Sequence, residues 1–362
     1  MTSRLLVIGF ATRHIAASAR RAGYRVVAVD HFCDRDLAAL TEECHRFETL
    51  EELAALASDA AVRHEAEGVL AGSGAELLDL PLPRLGTPSD VAARFLDKNE
   101  TQSFFEALGV RAPRRLLPGE YPAMVKPVHG SGGWRNAIVS SDAELEAWEA
   151  LFPGQPYLLQ EVVSGTPASV SCIADGKHAV VVATNRQLLR GSGPMSFGFA
   201  GSLTPCDHPL SGEMATIAEM VAGASGCIGA VGVDFVLPDH GGTPVAIEVN
   251  PRFQGTLETV EAATGLNLVR LHIDACGGRL PADRPAILRN ACRRILFADH
   301  DLVVGDDLSV LGPWIADIPI PGTAVPVGGA VVSVRATGQT AQQALVRLDK
   351  HIIRVRAYME RW

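Results

Sequence analysis

Asp234, Glu248, Asn250 and Arg252 are residue types that can hold a divalent cation and an anionic oxygen side by side. Residues 228–237 and 244–250 are apolar, β-branched runs. Asp239-His240-Gly241-Gly242 between them is turn chemistry, so the segment predicts a β-hairpin. With the turn near Gly241-Gly242, Asp234 falls opposite or nearly opposite Glu248. Glu248 and Asn250 are two positions apart and share a strand face, while Val245, Ile247 and Val249 are expected to point into the core. Like charges facing each other across a sheet are destabilising unless compensated. Mg²⁺ compensates them, because it takes carboxylate oxygens and shares them with substrate phosphates. The plainer alternative, a hairpin with solvated acids on an open face, leaves Asn250 and Arg252 without a reason.

A second constellation lies upstream. Met124-Val125-Lys126-Pro127-Val128-His129 ends a strand and runs into Gly130-Ser131-Gly132-Gly133. Flexible backbone N–H groups can close over phosphate oxygens there, with Lys126 as a point charge. No Gly-Lys-Ser/Thr follows, and a strand comes next rather than a helix, so this is not a Walker A loop. Leu158-Leu159-Gln160-Glu161-Val162-Val163-Ser164-Gly165 offers backbone hydrogen bonds and an apolar slot of the kind an adenine ring accepts, or is an ordinary strand and turn. Asp97-Lys98 opens a helix, where the aspartate suits the positive end of the dipole. Lys98 is then a solvated helix residue or a second phosphate contact. Substrate selection is expected from Ser73 and Glu76 in Gly72–Glu76, from Asn185, Arg186 and Gln187, and from the aromatic, glycine-flanked loop 191–201, which suits a closing lid.

The elements that must position these residues are legible in outline. Strand 5–8, helix 13–22 and strand 25–30 imply a parallel sheet, extended by helix 51–65 and strand 68–71. Three divisions are expected: an open α/β domain over 1–95, a small α+β lobe with the glycine loop over 96–190, and a large lobe over 191–362 carrying the hairpin and a C-terminal extension. The overall class is α/β followed by α+β. Asp317-Ile318-Pro319-Ile320-Pro321-Gly322 reads as a rigid turn packed against the sheet.

Composition sets the outer bounds. A 362-residue chain, 47% hydrophobic and 20% charged, can bury more than one core. A net charge of −9 without a basic stripe argues against nucleic acid as partner. The seven cysteines show no Cys-x-x-Cys pair, so reduced and mostly buried thiols are expected. The apolar run 5–10 is too short for a signal segment or a span, and a cytoplasmic location without membrane contact is the expectation. The 11 histidines offer no convincing nucleophilic triad; His129 reads as a loop residue and His300 as a surface polar.

In order, Lys98, Lys126 with its glycine loop, Gln160–Gly165, then Asp234, Glu248-Val249-Asn250-Pro251-Arg252 resembles the ATP-grasp ligase superfamily over about 95–280. The first domain is similar to the α/β domain that precedes ATP-grasp units. Gly72–Glu76, Asn185-Arg186-Gln187 and the Asp317–Gly322 tail look like a narrower branch. It comprises predicted carboligases related to biotin carboxylase, found among one-carbon-carrier biosynthesis proteins of methylotrophs and methanogens, with tyramine–glutamate ligase a similar relative. The resemblance implies ATP with Mg²⁺ (or Mn²⁺) as cofactors. It implies Lys98, Lys126 and the loop glycines with Ser131 on phosphates, and Gln160, Glu161 and Val163 around adenine. Asp234, Glu248 and Asn250 would hold the metal, with Arg252 and Lys126 at the transferring phosphoryl group. It also implies acyl-phosphate ligation of a small carboxylate with an amine, and a homodimer as one possible assembly. Pro167 departs from the family pattern at a position that is often acidic and binds ribose. The rivals are a bicarbonate-using carboxylase, a silent nucleotide-binding module, and a dehydrogenase using Asp30, whose Gly9–His14 segment lacks Gly-x-Gly-x-x-Gly.

Overall fold

The computed structural model describes residues 3–130, 132–133, 135–191, 195–239 and 241–362. Besides a two-stranded pair, Leu302–Val303 with Ala324–Val325, three larger sheets organise the described residues. The first is a four-stranded parallel sheet in the order Cys44–Arg46, Arg25–Asp30, Arg4–Gly9, Gly68–Ala71. Its central strands are buried on both faces, as helix-covered parallel strands must be. One face packs on helix Leu50–Arg63. The other packs on helix Arg13–Arg21, which is itself covered by helices Leu257–Thr264 and Leu268–Cys276. The N-terminal unit therefore shares an apolar core with the rest of the chain.

The second sheet is small and antiparallel: Arg115–Leu116, Tyr157–Glu161, Ala123–Pro127, Ala137–Val139. The third has eight antiparallel strands, running from Val245–Asn250 through Ile228–Pro238, Gly165–Asp175, Ala179–Leu189, Phe199–Thr204, Asn290–Phe297 and Ala330–Gly338 to Ile315–Ala316. The expected division at 190 runs through this sheet. Strands Gly165–Asp175 and Ala179–Leu189 pair within it, so the small sheet ends at Glu161. Helix Ala341–Met359 closes the far end over Ala330–Gly338.

Two expectations need correcting. Cys33 and Cys44 form a disulfide, with Cα atoms 5.9 Å apart. The parallel pairing of Arg25–Asp30 with Cys44–Arg46 brings them together, a contact that cysteine spacing does not reveal. The remaining five cysteines are free and wholly or partly buried, as expected. Ile247 also does not enter the core. The hairpin ladder pairs Asp234 with Glu248 but Phe235 with Ala246. That bulge gives Ile247 the extra position and turns it toward a cavity, with Ala246 packed inward in its place.

Candidate active site

A cavity of about 820 Å³ lies between the small sheet and the eight-stranded sheet, and the N-terminal domain closes one end. The hairpin register sets its floor. Asp234 stands directly opposite Glu248, and both line the cavity with Asn250 and Arg252. Asp234 accepts hydrogen bonds from Gln187 Nε2 at 3.0 Å and from Asn250 Nδ2 at 3.2 Å. Burial, and then the charge on Glu248, push its carboxyl up to about 7. Oxygen-rich, crowded and partly desolvated, this donor set fits a hard divalent cation.

Strand Ala123–Pro127 carries Lys126 to the opposite wall, 8% exposed. Its ammonium has no hydrogen-bonded partner among the described residues. Burial lowers its pKa to about 8, with Lys98 acting in the same direction and Glu248 opposing. Such a cation is stabilised when an anion enters. Asp97 caps helix Lys98–Ala107 by accepting from the Asn99 and Glu100 amides, and the adjacent Lys98 Nζ donates to Gly130 O at 2.7 Å. The glycine loop is thereby tied to the helix start. Gly130, Gly132 and Gly133 all have positive φ and line the cavity. Ser131 lies outside the described residues, as do 192–194 of the expected lid. Phe197 and Phe199 of that loop face the cavity, and a Cβ on Gly133 would sit 2.4 Å from Phe197 O.

Glu161 and Val163 line the main chamber beside Pro167. Gln160 instead lines a recess of about 30 Å³ that Lys98, Lys126 and Glu248 also border. Its Nε2 donates to Gln102 Oε1 at 2.8 Å, while its Oε1 is buried without a partner.

The residues expected to contact substrate separate. Ser73 and Gln187 line the cavity. Glu76, 5% exposed, accepts from Arg252 Nε at 2.6 Å and from the Gly74 amide, so it holds Arg252. Asn185 is fully buried, donating weakly to Ser169 and Ser171 and accepting from Thr204 Oγ1 at 2.6 Å. Arg186, on the opposite strand face, is exposed and absent from the lining. Alternation explains Arg186; Asn185 shares the face of Gln187 but is taken up by Ser169, Ser171 and Thr204, so only Gln187 of the three lines the cavity. Asp30 binds the amides of Thr12, Phe32 and Cys33, which occupies it in holding its own loop rather than leaving it open to a ribose.

Sequence reasoning missed a buried charge network at the far end. Arg13 makes a two-pronged pair with Glu258 and reaches Asp317 at 2.8 Å; Arg293 binds Asp317 at 2.6 Å and Arg335 binds Glu258 at 2.6 Å. Burial opposes the charge on Glu258, but the arginines outweigh it and hold its carboxyl well below its ordinary value. Asp317, at φ 54 in the expected rigid turn, is held low in the same way. Nearby, the Asp34 carboxyl group has no hydrogen-bond or ion-pair partner among the described residues, and Asp34 lines the cavity with His14, Phe10 and Phe32. Burial, then Asp317, Asp36 and Asp30, raise Asp34 to about 8. An arginine at the start of an otherwise Ala-rich helix was the available signal for the network.

Residues 95–256 match the family model described as an ATP-grasp domain. The matched segment contains both the glycine loop and the acidic hairpin. A carbamoyl phosphate synthase large chain from Campylobacter jejuni is 27% identical over 248 residues, covering 63% of this chain and 22% of the relative. An uncharacterized protein from Methanocaldococcus jannaschii is 23% identical over 362 aligned residues, covering 92% and 88%. The chain thus spans only about a quarter of the length of the carbamoyl phosphate synthases it matches. Among solved structures, the biotin carboxylase domain of 2-oxoglutarate carboxylase from Hydrogenobacter thermophilus, in complex with MgADP, ADP and bicarbonate, superposes with TM-score 0.79. It is 15% identical, with 97% and 89% coverage. L-amino acid ligase from Bacillus licheniformis gives TM-score 0.70 at 18% identity, with 97% of each chain covered. These likenesses extend the fold agreement across the N-terminal parallel domain and the antiparallel remainder.

Proposed function

We propose that this chain is an ATP- and Mg²⁺-dependent carboxylate–amine ligase that forms an amide through an acyl phosphate. The observation that carries the reading is the register pairing of Asp234 with Glu248 on the floor of a cavity that Lys126 and Arg252 also line. Asp234, Glu248 and Asn250 are suited to hold Mg²⁺, which when bound offsets charge on nucleotide phosphates. Lys98, Lys126 and the glycine loop are assigned to the phosphates, and Glu161, Val163 and Ile247 to the walls around adenine. Gln160 is assigned to the recess beside them.

A substrate carboxylate oxygen attacks the γ-phosphorus, the bond to the β–γ bridging oxygen breaks, and ADP leaves. The amine nitrogen then attacks the acyl carbon, phosphate departs with one substrate oxygen, and the amine gives up a proton. Arg252, oriented by Glu76, lies on the same wall as the hairpin and is assigned to the transferring phosphoryl group. The Gly133 contact with the Phe197 segment supports a roof that keeps water from the acyl phosphate. The Asp34 carboxyl group, without a partner among the described residues, suits a polar contact with the incoming amine.

A role in assembling a one-carbon carrier cofactor of the methanofuran or methanopterin type is the biosynthetic setting we favour. The likeness to a bicarbonate-bound carboxylase domain supports a second reading, ATP-dependent carboxylation. One assay separates them: ADP formation with pools of ¹⁸O-labelled carboxylates and amines, with and without bicarbonate. Ligation predicts amine-dependent turnover and one ¹⁸O in the released phosphate; dependence on bicarbonate alone would reverse the assignment.

A further inference from the structure

Away from the cavity, the outer edge of the parallel sheet gathers Glu43, His45 and His64. Glu43 and His45 are two apart along an extended edge and so present side chains to one side. His64 caps the C-terminus of helix Leu50–Arg63, which that side meets. His64 Nε2 lies 2.9 Å and His45 Nε2 3.7 Å from the Glu43 carboxylate, and one ligand atom from each residue lies within 4.8 Å of the others. Both Nε2 atoms are shut off from solvent without a hydrogen-bond partner. A pair of buried, unbonded imidazole nitrogens converging on one carboxylate is poorly accounted for by packing alone.

We propose that Glu43, His45 and His64 form a binding site for a divalent transition metal of the zinc class, distinct from the Mg²⁺ position in the cavity. Two imidazoles and one carboxylate are the donor set zinc accepts, whereas Mg²⁺ prefers oxygen alone. Bonds of about 2 Å require only a modest drawing together of the three side chains. Glu43 is 42% exposed, which supplies an entry path and leaves a fourth position for water. Arg63, 54% exposed and 3.7 Å from Glu43, must swing away, and Asp59 is already its closer partner. The site would pin the edge strand to the end of the helix. Cys44, between two of the ligands, is bonded to Cys33, whose neighbours Phe32 and Asp34 line the cavity. Metal binding would therefore stiffen a wall of the pocket from outside it.

The test is zinc titration of the chelator-stripped full chain by calorimetry, with thermal unfolding in parallel. One tight equivalent and a raised Tm are expected, both retained in Glu248→Gln and both lost in the His45→Ala/His64→Ala double variant. If that variant does not fold, Glu43→Gln carries the test, with at least tenfold weaker zinc binding expected. Zinc bound equally by wild type and by a folded His45→Ala/His64→Ala or Glu43→Gln variant, or no tight equivalent in wild type, would overturn the proposal.

Discussion

At the scale of single residues, the proposed chemistry turns on the mismatch between the Asp234 carboxyl group and its surroundings. A folded-state pKa of about 7 for Asp234, against an ordinary 3.8, means the empty fold favours the protonated acid. Its contribution to stability is full below about 4 and lost as pH rises through about 7. Cation binding needs the carboxylate and so strengthens over the same window. Mg²⁺-dependent nucleotide affinity should therefore rise about tenfold from pH 6 to pH 8. Asp234→Asn should flatten that part of the profile, and titration calorimetry at the two pH values checks it. Lys126→Ala should weaken nucleotide binding by tenfold or more if a desolvated cation faces the phosphates; unchanged affinity would contradict the cradle. The carboxylate pair was readable because a turn of known chemistry fixes the ladder and alternation fixes the face. The bulge after Asp234 was not, since no residue there announces it, and Ile247 was misplaced as a result.

At the scale of elements, function depends on segments that must approach closely. Gly133, at φ +72, touches the Phe197 carbonyl where any Cβ would collide with backbone. Gly133→Ala should cost the closed loop about 1–3 kcal/mol, read as roughly tenfold or more weaker MgATP binding. Global stability should change little because the roof is peripheral. Equal affinity in the variant would show that the loop does not close over phosphate. The sequence pointed to the glycine loop and to the aromatic segment 197–199 separately. It held nothing to say that they meet, because their contact is between backbones. Similarly, in the polar run Asn185-Arg186-Gln187 strand alternation turns Arg186 away, and Asn185, on the face of Gln187, is consumed by Ser169, Ser171 and Thr204, which leaves Gln187 to the cavity.

At the scale of the whole molecule, the N-terminal domain is fastened by apolar packing, by the Glu76–Arg252 and Arg21–Glu261 pairs and by a buried charge cluster. Arg13 belongs to the first domain, while Glu258 and Asp317 belong to the last part of the chain. Arg13→Ala would leave those acids buried with less compensation, and should lower unfolding free energy by about 3–5 kcal/mol. A urea melt measures this directly, and a loss below about 1 kcal/mol would contradict the role. The pairing itself was not legible, since the partners are far apart in sequence; Arg13 at the start of an Ala-rich helix was the one local signal. Element order, by contrast, was clear from periodicity and turns, because those signals are local. Ligase chemistry in this fold requires a metal-bridged nucleotide above the acidic hairpin. Calorimetric titration of ATP with and without Mg²⁺ into wild type and Glu248→Gln tests this most directly. The structure predicts tight, Mg²⁺-dependent binding by wild type and at least tenfold loss in a folded variant; equal affinity in all four titrations would contradict it.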